Sequence, residues 1–322
     1  MRVDVHAHIV PEEYLAALTS RLSLERVDTP DKTLLRKDNY TVAWFREEMF
    51  SIDHRLADMD QRGIDVQILS LSTPNVYEWA GSEQVAITRT VNDYSAAMVR
   101  AHPDRFRAFA SLPLSDLNEA SCELARACDE LGMVGVVVGS NIAGAQLDDR
   151  TFDPLWAEIS RRKLPVFIHP MFPKSVAGME GYELPLRVGF PFDTTLAATR
   201  LVYSGVLERF PDLTFILAHT GGAFLTLLDR LDNGYHLFPD CRAHISSPPS
   251  TFARRFYYDS ASFSKAVLEM AAGLVGADRI MLGTDYPFIG SDASHVLGLA
   301  LNDADKSAIL GANAAALFGL DR

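Results

Sequence analysis

The stretch Val134-Gly-Val-Val-Val-Gly139, followed by the amphipathic Pro154–Arg162 and then by Pro165-Val-Phe-Ile-His169, sets how the chain is built. Val134–Val138 and Val166–Ile168 are continuously apolar, the pattern of strands buried on both faces of a parallel sheet. A helix-period segment between two such strands is a βαβ unit. The same alternation runs outward to both ends. Strands are expected at Arg2–His8, Asp65–Leu71, Arg107–Leu112, Val134–Gly139, Pro165–His169, Thr214–His219, Arg255–Asp259 and Arg279–Asp285. Helices are expected at Asp53–Arg62, Val85–Ala101, Leu117–Leu131, Pro154–Arg162, Thr195–Arg209 and Ser264–Val275. About eight strands alternating with helices predict an α/β chain folded as one (β/α)8 TIM barrel over residues 1–322. An open doubly wound sheet would want a glycine-rich phosphate loop after an early strand, and none is present. Two connections exceed an ordinary βα loop, about 11–50 after the first strand and 171–190 after the fifth. Both leave the C-terminal face, so a lid or pocket is expected from them. Tyr235–Thr251 reads as a surface excursion.

Composition narrows the class. Of 322 residues, 48% are hydrophobic and 22% charged, as in soluble globular proteins. A chain of this size buries enough surface to fold without a metal staple, so any metal is functional. The net charge of −12 argues against nucleic acid as a partner but leaves room for a small anion met by local arginines. No apolar run approaches the ~18–20 residues of a membrane span. Met1–His6 has no apolar leader core, and Cys122, Cys128 and Cys241 form no C-x-x-C pair. A cytoplasmic protein with reduced thiols is expected.

The chemistry gathers at strand ends. His6 and His8 are two apart on the first strand and so share a face. His169 closes the fifth strand, His219 the sixth and Asp285 the eighth. One histidine ending a strand would be read as core. Five ionisable groups at the ends of four strands are too costly to bury without a shared counter-charge. Imidazoles and a carboxylate suit Zn²⁺ or a similar divalent ion, and in barrels catalytic groups converge at this end. His54, His102, His236, His244 and His295 fall in helical or loop patterns and are read as structural or solvated.

Val3-Asp-Val-His-Ala-His8, Phe167-Ile-His-Pro170, Leu217-Ala-His-Thr-Gly-Gly222 and Leu282-Gly-Thr-Asp-Tyr-Pro-Phe288 together resemble the amidohydrolase-related metal-dependent decarboxylases. The resemblance runs through essentially the whole chain. It implies a mononuclear metal barrel with His6, His8, His169 and Asp285 as ligands and His219 as acid/base. Binuclear amidohydrolases bridge two ions with a lysine on the fourth strand, and Val134–Gly139 has none. Arg46, thirteen residues before Met59, matches the family's substrate-carboxylate arginine. Arg230, eleven after His219, matches one that reaches the neighbouring site across a dimer interface. A guanidinium fork suits bidentate carboxylate recognition. Met171 and Leu186 stand where family members carry aromatics, so the substrate wall is expected to differ, drawing on Trp44, Phe45, Phe172, Phe190, Phe192 and Phe288. The expected activity is nonoxidative decarboxylation of an unsaturated or aromatic carboxylic acid, carboxymuconate-semialdehyde-like or hydroxybenzoate-like. One divalent ion is expected, Zn²⁺ ahead of Mn²⁺, with Asp285 or His219 supplying the proton. Hydrolysis of a lactone, amide or ester on the same site is the alternative.

Overall fold

Eight strands lie side by side in sequence order, all parallel: β1 (Val3–His8), β2 (Val66–Ser70), β3 (Phe106–Ala110), β4 (Gly135–Gly139), β5 (Pro165–His169), β6 (Thr214–Leu217), β7 (Phe256–Asp259) and β8 (Ile280–Met281). This is a computed structural model, and it describes residues 1–37, 40–290 and 292–320. Beyond β8 the chain meets β1: the Val5 amide donates to the Leu282 carbonyl at 2.9 Å and the His8 amide to Tyr286 at 2.6 Å. Those bonds close the sheet into the (β/α)8 barrel that the alternation implied.

The apolar runs explain the layering. Phe109, Val137, Phe167 and Ile216 pack together in one cluster inside the barrel. Their neighbours Val136, Val138, Val166 and Ile168 belong to the shell under the helices. Side chains alternate across a strand, so a strand buried on both faces must be apolar at every position.

Two of the expected strands are shorter than their sequence pattern. β6 ends at Leu217 and β8 at Met281, which leaves His219 and Asp285 in turns past the strand ends. Both take left-handed backbone, with φ of 54° and 52°. The helix expected at Thr195–Arg209 begins earlier, at Phe190, and is interrupted between Tyr203 and Val206, where Gly205 has a φ of 73°. Leu117–Leu131 is α-helical only to Ala125 and continues as a π-turn.

Both long insertions stand over the C-terminal face. The first carries the helix Glu12–Leu22 and an antiparallel ribbon of Glu25–Asp28, Thr33–Lys37 and Tyr40–Phe45; residues 38 and 39 lie outside the described residues. The second runs from β5 to a short turn, Pro185–Gly189, that feeds the helix Phe190–Tyr203. They are joined to each other. The Thr41 amide and hydroxyl each donate at 3.0 Å to one oxygen of the Glu183 carboxylate. The root of the second insertion is held by Ser140, whose hydroxyl accepts from the Met171 amide at 2.8 Å.

Candidate active site

Strand β1 brings His6 and His8 to the centre of the barrel mouth, and β5 brings His169. One ligand atom from each of these and from Asp285 lies within 4.8 Å of all the others. His6 Nε2 and His8 Nε2 are 3.0 Å apart, and Asp285 Oδ1 is 3.3 Å from the first and 3.4 Å from the second. Each ring is oriented through its other nitrogen, as is usual for metal-binding histidines. His6 Nδ1 meets Asp259 Oδ2 at 2.5 Å, and His8 Nδ1 meets Ser70 Oγ at 3.1 Å. His169 Nδ1 lies 3.0 Å from the Pro170 carbonyl and 3.2 Å from Thr73 Oγ1. Three imidazoles and a carboxylate, buried and turned on one another, are a donor set that fits a divalent ion.

Their charge states follow from burial. Burial drives His8 down to about 4, with His6 adding to the shift, and takes His169 well below the usual imidazole range, so both rings are neutral. It also opposes a charge on His6, but Asp285 and Asp259 outweigh it and raise that pKa to about 10. Burial alone would favour protonation of Asp285. The charge on His6 and the close imidazoles of His219, His6 and His8 instead hold it well below the ordinary carboxylate range. Behind β1, burial raises Asp4 to about 6 against hydrogen bonds from Thr284 and the His6 amide.

His219 stands beside this set, with Nε2 3.6 Å from Asp285 Oδ2 and a buried Nδ1 that has no hydrogen-bond partner. Its turn is unusual: His219, Thr220, Gly221 and Gly222 all have positive φ. Asp259 pins the turn by accepting from the Thr220 amide at 3.0 Å, and its backbone carbonyl accepts from the Thr220 hydroxyl at 3.0 Å. Non-glycine residues in this region store strain of about 1–3 kcal/mol each and cluster at functional sites. Gly283 completes the packing. A Cβ there would stand 2.9 Å from Asp259 Cβ and 3.1 Å from His6 Cβ.

Above the cluster opens a cavity of about 510 Å³. His169, His219 and Asp285 reach it, and both insertions wall it, one with Trp44 and Phe45 and the other with Leu186 and Arg187. Phe190 and Phe288 complete the aromatic part of the wall. Of the other expected aromatics, Phe172 packs behind Phe190 with ring centroids 5.4 Å apart, and Phe192 is 57% exposed.

Neither expected substrate arginine lines this cavity in the single chain. Arg46 opens onto a separate groove between the first insertion's helix and ribbon. The ribbon strand ends at Phe45, the chain turns into Glu47–Phe50, and the guanidinium folds back to 5.3 Å from the Trp44 ring centroid. Arg230 is exposed on the helix Leu228–Leu237 and reaches no part of this cavity.

An amidohydrolase family model matches residues 3–320. The chain belongs to the amidohydrolase family. The chain is 30% identical to 2-amino-3-carboxymuconate-6-semialdehyde decarboxylase of Dictyostelium discoideum, across 100% of this chain and 92% of that protein. It is 33% identical to gamma-resorcylate decarboxylase of Rhodococcus jostii (strain RHA1), across 84% of this chain and 88% of that one. A solved dihydroxybenzoic acid decarboxylase from Polaromonas sp. JS666, with bound manganese and the inhibitor 2-nitroresorcinol, is 26% identical with a TM-score of 0.79, covering 100% and 97% of the two chains. On these matches this family member is a metal-dependent carboxy-lyase that uses a divalent ion, and hydrolysis is the less favoured chemistry.

Three features of the site lie outside the pattern of histidines at strand ends. Asp259 carried the same signal as His169, an ionisable residue closing a strand, and could have been found. Arg55 could not. It is buried on the helix Ile52–Arg62, donates to the His8 carbonyl at 2.5 Å and to Gln67 at 2.9 Å, and lies 4.6 Å from the Tyr286 ring centroid. Arg187 is one polar residue in an irregular insertion, and only the folded insertion brings it to the cavity.

Proposed function

We propose that this carboxy-lyase removes CO2, without oxidation, from a hydroxybenzoate-like or carboxymuconate-semialdehyde-like acid at one divalent ion held by His6, His8, His169 and Asp285. The observation that carries the reading is the converging four-donor cluster at the floor of an aromatic-walled cavity. Bound there, a divalent ion supplies positive charge that holds a substrate oxygen and stabilises the charge left on carbon as the C–C bond breaks. Three imidazoles favour Zn²⁺, with Mn²⁺ the competing occupant. β4 offers no lysine to bridge a second ion.

The chain's own groups do the rest. Trp44, Phe190 and Phe288 hold the unsaturated body of the substrate and keep water from it. His219 carries a proton on Nε2 and delivers it to the carbon that loses CO2, so a carboxylate and a proton become CO2 and a new C–H bond. Asp285, held ionised, steadies the charged imidazole through Oδ2 rather than acting as the acid.

The unit is read as a homodimer with Arg230 acting in the partner's site. Val188, Phe192 and Leu196 recur every four residues and are 40%, 57% and 46% exposed, an apolar stripe of the kind that marks self-association. The helix bearing Arg230 meets the far end of the helix that continues this stripe, where Tyr203 donates to the Leu231 carbonyl at 2.6 Å. No helix among the described residues is long and apolar enough to cross a membrane. The free thiols of Cys122, Cys128 and Cys241 fit the reducing cytoplasm.

Metal analysis of the purified protein, joined to a CO2-release screen over hydroxybenzoates and carboxymuconate semialdehydes, tests the proposal. About one divalent ion per chain with CO2 released supports it. Turnover of lactones or amides without CO2 would move the chemistry to hydrolysis, and failure to bind any ion would remove the donor-set argument.

A further inference from the structure

Polar groups in the cavity wall are few, and several are already engaged. Tyr14 donates its hydroxyl to the Asn75 carbonyl at 2.6 Å, and Thr73 donates to the Pro170 carbonyl at 2.5 Å. Ser262 and Arg187 are not. Ser262 lies in the loop after β7, and its Oγ is buried with no hydrogen-bond partner. Arg187 is exposed at the rim of the cavity and is the one lysine or arginine in its lining among the described residues. No ion pair or hydrogen bond engages its guanidinium among the described residues. A buried hydroxyl without a partner is destabilising unless a ligand atom satisfies it. A free guanidinium at the mouth of a largely apolar pocket, on a chain of net charge −12, is placed for an anion.

We infer that Ser262 and Arg187 determine which acid this cavity accepts, Ser262 by hydrogen-bonding a hydroxyl or carbonyl on the substrate and Arg187 by pairing a second anionic group at the rim. The inference rests on the decarboxylase reading for its choice of acids. The two residues sit on different elements, the loop after β7 and the second insertion, so they address different positions of one bound molecule. Neither touches the four-donor cluster or His219 by any hydrogen bond or ion pair between described residues, so their contribution is to selection rather than to proton transfer. A site built to hydrogen-bond a substituent rejects the analogue that lacks it, because its own polar group is then left unpaired.

The test uses three probes on the metal-loaded protein: benzoate, isophthalate and 4-hydroxyisophthalate. Their affinities are measured by calorimetry, and CO2 release is followed alongside. The wild type is expected to prefer isophthalate over benzoate, and R187A to lower that affinity ratio about tenfold or more, with R187K restoring part of it. S262A is expected to lower the preference for 4-hydroxyisophthalate over isophthalate by about 10-fold, with metal content unchanged. Ratios that stay the same in R187A and S262A would overturn the inference, whatever the turnover. Ratios that fall as expected with no CO2 from any acid would leave it standing and sink the decarboxylase reading instead.

Discussion

His6 Nδ1 lies 2.5 Å from Asp259 Oδ2, with both side chains fully buried. The other Asp259 oxygen is fixed by the amides of Thr220 and Ala261, each at 3.0 Å. A carboxylate so held sets the tautomer and tilt of His6, and it ties the first strand to the turn that carries His219. Loss of such an outer partner costs about 10–100-fold in metal affinity. D259N, which keeps the shape and removes the charge, should bind the ion that much more weakly in a chelator-competition titration. Unchanged affinity would mean that His6 is oriented by packing alone.

The ligands and the acid/base group should separate cleanly. H169A and D285A are expected to lose bound metal, whereas H219A keeps it and loses about 10²–10⁴-fold in CO2 release. Saturating metal should also protect the wild type against unfolding, by about 2.7 kcal/mol at a hundred times Kd, and leave D285A unmoved. Metal content and calorimetric melting read both. H219A turning over at the wild-type rate would remove His219 from the mechanism.

The bond between the insertions gives a third expectation. Glu183 accepts from both the amide and the hydroxyl of Thr41, and T41V keeps only the amide's bond. The loss is local, about 0.5–1.5 kcal/mol. It should raise KM several-fold and speed proteolysis within 171–190 while the melting temperature changes little. Equal proteolysis rates would show that the insertions hold together without this contact.

Arg46 offers a test of placement. With its guanidinium 5.3 Å from the Trp44 ring centroid, it is exposed and outside the cavity lining. R46A should therefore change kcat/KM by less than about threefold. A tenfold rise in KM would return Arg46 to the substrate carboxylate and require the ribbon to turn it inward.

Self-association is testable at the apolar stripe. F192D places a charge on a face 57% exposed in the single chain and should convert a dimer to monomer by sedimentation. R230A should leave assembly and metal intact and lower turnover about tenfold or more, since its guanidinium would meet a substrate carboxylate across the interface. Full activity in a demonstrated monomer would exclude a part for Arg230 in the partner's site.

Much of this site was legible because barrel geometry turns sequence position into spatial position. A residue that ends a strand stands at the C-terminal mouth, so the alternation of strands and helices is enough to place His6, His8 and His169 together. Asp285 reaches the cluster by a route other than the strand end its sequence position implies. The run Arg279–Asp285 reads as a strand, but only Ile280 and Met281 pair in the sheet, and Gly283 lets the chain press against His6 and Asp259 before Asp285 turns left-handed. Period-2 patterning registers apolar faces and is blind to a turn whose shape is imposed by its neighbours.

Residue order alone dictates the barrel and the convergence of His6, His8 and His169, because runs such as Val136–Val138 must be buried on both faces and strand ends must then meet; Asp285 joins them through the turn past β8. Folding in three dimensions settles which arginine faces the cavity, how Asp259 grips His6, and how Thr41 meets Glu183 across 142 residues of chain. Those contacts join segments whose local patterns carry no record of one another. Irregular insertions have no periodicity to read, and their side chains take their directions from the surfaces on which they settle.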